Sequence, residues 1–174
     1  MSVNGTTDKR EKLVRRALEE FEARLIGYAA SILRDADRAR DVAQDTFIKL
    51  YGQDPDKVSV ALKAWLFTVC RNRCLDILRK EKRMENIEQE QVAQIHDKSE
   101  DPSRLVERSD QHSEVMRFLE RLPQNQKEVL RLKFQGEMSY KEISEVTSLS
   151  VSNVGFLIHA GLKRLRGMLS HQAA

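Results

Sequence analysis

The sequence predicts an all-α protein of two small helical domains: an N-terminal bundle of three to four helices and a C-terminal helix-turn-helix domain, joined by a flexible linker. Three observations carry this. Turn punctuation is sparse, with 7 Gly, 3 Pro and 6% aromatic residues, too little for a sandwich or barrel of many short strands. Apolar residues recur at i, i+3, i+4 and i+7, the helical period. Near the middle, MENIEQEQVAQIHDKSED is too poor in large apolar side chains to offset its own ordering entropy, so it divides the chain. The expected domains are residues 1–84 and 102–174, with an acidic linker at 85–101.

The first helix is read from the stripe Phe21, Leu25, Tyr28, Ala29 and Ile32, which breaks near Asp35. The second follows from Val42, Thr46, Phe47 and Leu50 within RARDVAQDTFIKLY and stops in a loop at Gly52-Gln53-Asp54-Pro55. The third starts near Ser59 or Val60 and runs through LKAWLFTVCRNRCLDILRKEKR, with Leu66, Phe67, Cys70, Cys74, Ile77 and Leu78 on its apolar arc. Asp101-Pro102 reads as an N-cap with Pro at the first helical position. It opens a helix through Leu105, Val115, Phe118, Leu119 and Leu122 that Pro123 ends. QNQKEVLRLKF, a turn at Gln135-Gly136-Glu137, a short helix capped by Ser139 and a final helix from about Val151 to Leu169 capped by Ser150 complete the chain.

The net charge of +3 does not announce a nucleic-acid binder, but the charge is unevenly placed. Residues 60–84 carry seven bases against two acids, 85–114 nine acids against three bases, and 115–174 nine bases against five acids. Two cysteines, Cys70 and Cys74, are too few for a disulfide framework and read as reduced, small core side chains. No apolar run approaches the roughly 20 residues of a membrane span, and MSVNGTTDKREK lacks the apolar stretch of a secretory signal, so no membrane insertion and a cytoplasmic location are expected. His96 and His112 show no metal-ligand spacing, and neither a metal nor another cofactor is expected. Asp41 and Asp45 share a helix face without partner acids or a His, which argues against catalysis.

The segment from Ser139 to Leu169 has the short helix, turn and longer helix of a helix-turn-helix. Turning the last helix places Val151, Val154, Leu157, Ile158, Leu162, Leu165 and Leu169 on one side. Ser152, Asn153, Phe156, His159, Lys163 and Arg166 fall on the other. An ordinary hairpin would merely solvate that polar side. Phe156 argues for a recognition helix, because an apolar group there has nothing to fill unless DNA or protein covers it. On the third helix, Trp65, Thr68, Asn72, Arg79 and Arg83 combine an aromatic plane, an amide and guanidinium groups, which suit single-stranded DNA. Trp65 alone could equally pack between helices.

WLFTVCRNRCLDILRK, preceded by DVAQDTFIKLY and followed by LERLPQNQKEVLRLKFQGEMSYKEIS and LSVSNVGFLIHAGLKRLR, resembles the extracytoplasmic-function (ECF) sigma factors of bacterial RNA polymerase. The resemblance runs from about Phe21 to Leu169 and implies sigma region 2 in the first domain and sigma region 4 in the second. It implies core RNA polymerase and promoter DNA, both duplex and melted non-template strand, as partners, together with an anti-sigma factor. Arg40, Asp41, Gln44, Asp45 and Phe47 match the helix that docks on the polymerase's largest subunit, on a face expected to be exposed. Asn72 matches the pocket for a base flipped from the −10 element, with Arg71, Arg79, Lys80 and Arg83 where the family contacts the strands around it, and Trp65 on the same helix face is expected to join them. The last helix stands where the family reads the −35 element, so its outward residues Ser152, Asn153, Phe156, His159 and Lys163 are expected to contact that element. Two departures stand out: Val154 to Gly161 lacks the basic residues common there, and Ser148 stands where many relatives carry the turn Gly. A homodimeric helix-turn-helix regulator is the competing reading, and no heptad seam supports it.

Overall fold

A computed structural model describes residues 3–91 and 110–173. Among these residues the secondary structure is helical throughout: α1 (Val3–Leu33), α2 (Ala36–Tyr51), α3 (Pro55–Val58), a 3₁₀ turn (Ser59–Ala61), α4 (Leu62–Gln91), α5 (Asp110–Glu120), α6 (Gln124–Phe134), α7 (Tyr140–Thr147) and α8 (Val151–Gln172). The expected helix start at Asp101-Pro102, Leu105 and His96 lie outside the described residues.

α1, α2 and α4 pack on one another around Phe21, Leu25, Tyr28, Val42, Phe47, Leu50, Leu66, Phe67 and Cys70. α1 starts well before its sequence stripe, because Leu13, Ala17 and Leu18 continue the apolar spacing toward the N-terminus. Arg34, at φ 55°, breaks it, and the Asp35 carboxylate then accepts from the Asp37 and Arg38 amides to start α2. The Gly52–Pro55 loop is shorter than the sequence suggests. Asp54 caps α3 and Pro55 fills its first position, a start signal that the loop composition masks. α4 continues past Met84 to Gln91, so residues 85–91 of the expected linker are helical. The side chains from Lys82 to Glu90 are exposed, and the strong helix propensity of Glu, Gln, Lys and Met accounts for the extension without burial.

In the C-terminal domain, α6, α7 and α8 enclose Val129, Leu130, Leu132, Ile143, Val146, Val154 and Ile158. Gly161 lets α8 cross α6 closely, since a Cβ there would come within 2.8 Å of Leu130 Cδ1. Glu120 bridges Lys127 (2.8 Å) and Arg131 (2.6 Å), two nearly buried cations. Burial pushes the Glu120 carboxyl up, but hydrogen bonds and charge from Lys127 and Arg131 outweigh it and hold the group below its ordinary range. The two domains meet directly, with α7 against α4, and their apolar cores are continuous.

Candidate nucleic-acid interface

The helix-turn-helix is built by two caps and one strained residue. The Ser139 hydroxyl accepts from the Glu142 amide and starts α7, and the Ser150 hydroxyl accepts from the Asn153 amide and starts α8. Between them Ser148 adopts φ 63°, ψ 16°, the left-handed conformation that glycine takes without penalty, and its N–H donates to the Ser144 carbonyl. The turn thus keeps its glycine geometry with a serine in the glycine position.

On α8, Val154, Leu157 and Ile158 are buried, while Ser152, Asn153, Phe156, His159, Lys163 and Arg166 are all exposed. Phe156 is 69% exposed, so the domain itself does not use it as core. Val151 and Leu169, expected on the apolar side, are 47% and 41% exposed, because they lie at the two ends of the helix beyond the reach of α6 and α7. This leaves a helix N-terminus flanked by short polar side chains and open to solvent, a geometry that fits base edges and a phosphate.

On α4, Asn72, Arg79, Lys80 and Arg83 are exposed and share the solvent side of the helix. Arg79 lies beside Asp76 at 3.2 Å. Trp65 is half-buried and packs against the core, so its ring is only partly available for stacking. Arg71 does not join the open group. Its Nε donates to Glu128 Oε1 at 2.6 Å and its Nη2 to Glu128 Oε2 at 3.4 Å, across the contact between the domains. The Tyr28 hydroxyl donates to the same Glu128 Oε1 at 2.7 Å. Burial and the Glu128 carboxylate hold that hydroxyl well above its ordinary pKa, so it remains a donor.

On α2, Arg40, Asp41 and Gln44 are exposed, and half-buried Asp45 pairs with Arg73 of α4 at 3.5 Å. Phe47 corrects the expected docking face: it is 6% exposed and part of the core between α1, α2 and α4. It sits one residue after buried Thr46 and four after buried Ala43, which fixes it on the inner side of the helix. The exposed apolar side chains are instead Ile48, at 70%, and Tyr51, at 44%. Asp41, Gln44, Ile48 and Tyr51 form an i, i+3, i+7, i+10 stripe, a signal present in the sequence on the side opposite the core spacing. Cys70 and Cys74 are buried, free core side chains. The hydrogen bond with Cys74, followed by burial, pushes the Cys70 thiol up.

Two family models match the chain: Sigma-70 region 2 over residues 17–84 and Sigma-70, region 4 over residues 112–165. The chain is similar to the ECF RNA polymerase sigma factor RpoE of Cereibacter sphaeroides, 28% identical over 156 residues that cover 87% of this chain and 83% of that protein. It is equally similar to the ECF RNA polymerase sigma factor SigM of Bacillus subtilis, 28% identical over 143 residues that cover 81% and 85%. A solved structure of the sigma factor RpoE in complex with the anti-sigma factor NepR from Bartonella quintana matches with a TM-score of 0.67 at 25% identity. That match covers 90% of this chain and 96% of that one. With both sigma regions present in order, on a fold shared with a solved sigma factor, the chain belongs to the extracytoplasmic-function sigma factors of bacterial RNA polymerase.

Proposed function

We propose that this chain binds core RNA polymerase, directs it to promoters through a −10 and a −35 element, and captures the melted non-template strand. The observation that carries the reading is the succession of region 2 over residues 17–84 and region 4 over 112–165 in one chain. Exposed groups of the right chemistry stand in each region. In region 2, the α2 stripe of Asp41, Gln44, Ile48 and Tyr51, with Arg40 beside it, is the polymerase-docking face. The exposed side of α4 reads the −10 element, with Asn72 receiving the extruded base, Arg79, Lys80 and Arg83 holding the backbone, and Trp65 at the margin. In region 4, Ser152, Asn153, Phe156 and His159 meet base edges of the −35 element, and Lys163 meets phosphate.

The chain works by binding, not by catalysis, and acts where the polymerase acts, in the cytoplasm. No described helix is long and apolar enough to cross a membrane. An anti-sigma factor is the expected antagonist, as in the complex formed by the Bartonella quintana relative. The functional domains are 1–84 and 102–174, with the connecting segment between them. The homodimeric regulator is not favoured, since it gives region 2 no role. Co-elution of the purified chain with core polymerase on gel filtration, followed by promoter-dependent run-off transcription, tests the proposal. A chain that elutes as a DNA-binding dimer and ignores polymerase would overturn it.

A further inference from the structure

We propose that Cys70 and Cys74 form a two-coordinate site for a soft monovalent cation, Cu(I), inside the region 2 bundle. The pair stands four residues apart on α4, so both side chains leave the same face of the helix. Both are 0% exposed and belong to the core that α1, α2 and α4 enclose. Cys70 Sγ lies 3.9 Å from the Leu25 carbonyl oxygen, a hydrogen bond joins it to Thr46, and another joins the two thiols. Arg38 and Arg73 bring positive charge to the Cys74 side, each paired with an acid, Glu81 and Asp45 respectively.

Spacing decides what such a pair can hold. Cβ atoms at i, i+4 stand about 5–6 Å apart, beyond the about 3.5–4.5 Å that a disulfide bridges, so an intact α4 keeps the two sulfurs unlinked. A metal ion spans the gap: at about 2.3 Å per metal–thiolate bond, a linear S–metal–S unit sets its sulfurs about 4.6 Å apart. Zinc completes a tetrahedron of donors, and among the described residues no third His, Cys, Asp or Glu joins the pair. Thiolates alone select the soft ion Cu(I). The lack of metal-ligand spacing at His96 and His112 does not bear on a donor set made of sulfur. On loading, Cu(I) replaces the two S–H protons, which pass to solvent, and no electron is transferred. The bis-thiolate unit carries one net negative charge, which Arg38 and Arg73 offset from the Cys74 side, as a buried anion requires. Asn72 stays exposed between the two cysteines in sequence, so the ion sits beneath the −10 face without occupying it.

Titration of the full chain, reduced and free of oxygen, with Cu(I) held as its bicinchoninate complex reads the site directly through the loss of the complex's colour. One Cu(I) should pass to each folded chain, counted by native mass spectrometry. Because both thiols are fully buried, uptake should wait on local opening and be slower than by the same chain unfolded in urea. The loaded chain should keep its helical circular dichroism and melt at a higher temperature, since the ion binds the folded pair. X-ray absorption at the copper edge should show two sulfur neighbours. Cys70→Ala and Cys74→Ala should each weaken binding by about a hundredfold or more, because even an outer-shell partner of a metal is worth about 10–100-fold. Should either variant fail to fold, the copper-edge spectrum of the wild type still decides. A folded chain that leaves the copper with bicinchoninate overturns the site. Nitrogen or oxygen neighbours around bound copper, uptake only with loss of helical signal, or uptake unchanged in both alanine variants would do the same.

Discussion

Replacing Phe47 by Ala separates core from docking surface on α2. At 6% exposure Phe47 packs among α1, α2 and α4, and truncation removes its apolar contacts and leaves a cavity. Such Phe→Ala changes cost about 3–5 kcal/mol, and at about 2–4 °C per kcal/mol for a chain of this size the melting temperature should fall by about 6–20 °C. Ile48, at 70% exposure, supports nothing beneath it, so Ile48→Ala should stay within about 0.5 kcal/mol of wild type. The double variant Ile48→Ala/Tyr51→Ala should melt near the wild-type temperature and lose about tenfold or more in polymerase affinity, the scale of an interface hot spot. Circular dichroism melts and gel-filtration titration against core polymerase provide the two readouts. A Phe47→Ala protein that melts like wild type yet no longer binds polymerase would refute the orientation assigned to α2.

Ser148→Gly relieves a left-handed serine and should raise region 4 stability by about 0.5–1 kcal/mol, whereas Ser148→Val should lower it, as read by chemical denaturation. Asn72→Ala and Arg79→Ala should impair promoter opening more than initial duplex binding, and unchanged permanganate reactivity of melted thymines in both variants would contradict the −10 assignment. Asn153→Ala and Phe156→Ala should change which −35 sequences are preferred, by about 1–3 kcal/mol per lost contact, while Lys163→Ala should weaken all promoters alike and flatten the salt dependence. Because Glu120 is held below its ordinary range, it stabilises the fold above about pH 4.5 and that stability is lost as pH falls through its lowered value. Glu120→Gln should flatten this acid limb of the stability profile.

The helices that bury a regular stripe were legible in the sequence. α2 follows its apolar spacing, α7 and α8 start at their serine caps, and the polar face of α8 stands open as its phase requires. Phe47 shows how resemblance and periodicity can disagree. Its own spacing with Val42, Thr46 and Leu50 placed it in the core, and the structure sides with the spacing. The helical tail of α4 was hidden because it buries nothing, and only propensity holds it. The contact between Tyr28, Arg71 and Glu128 joins residues up to 100 positions apart. No local pattern encodes it, so Arg71 read simply as one more base in a basic run.

The central claim, that one chain directs polymerase through two promoter elements, is tested most directly by reconstituted transcription from a promoter library randomised at both elements. Transcripts made by core polymerase with this chain should be enriched for one −10 and one −35 sequence at a fixed spacing. Asn72→Ala should alter only the −10 preference, and Asn153→Ala only the −35 preference. Transcripts with no enriched pair of elements, or enrichment unmoved by both variants, would contradict the account.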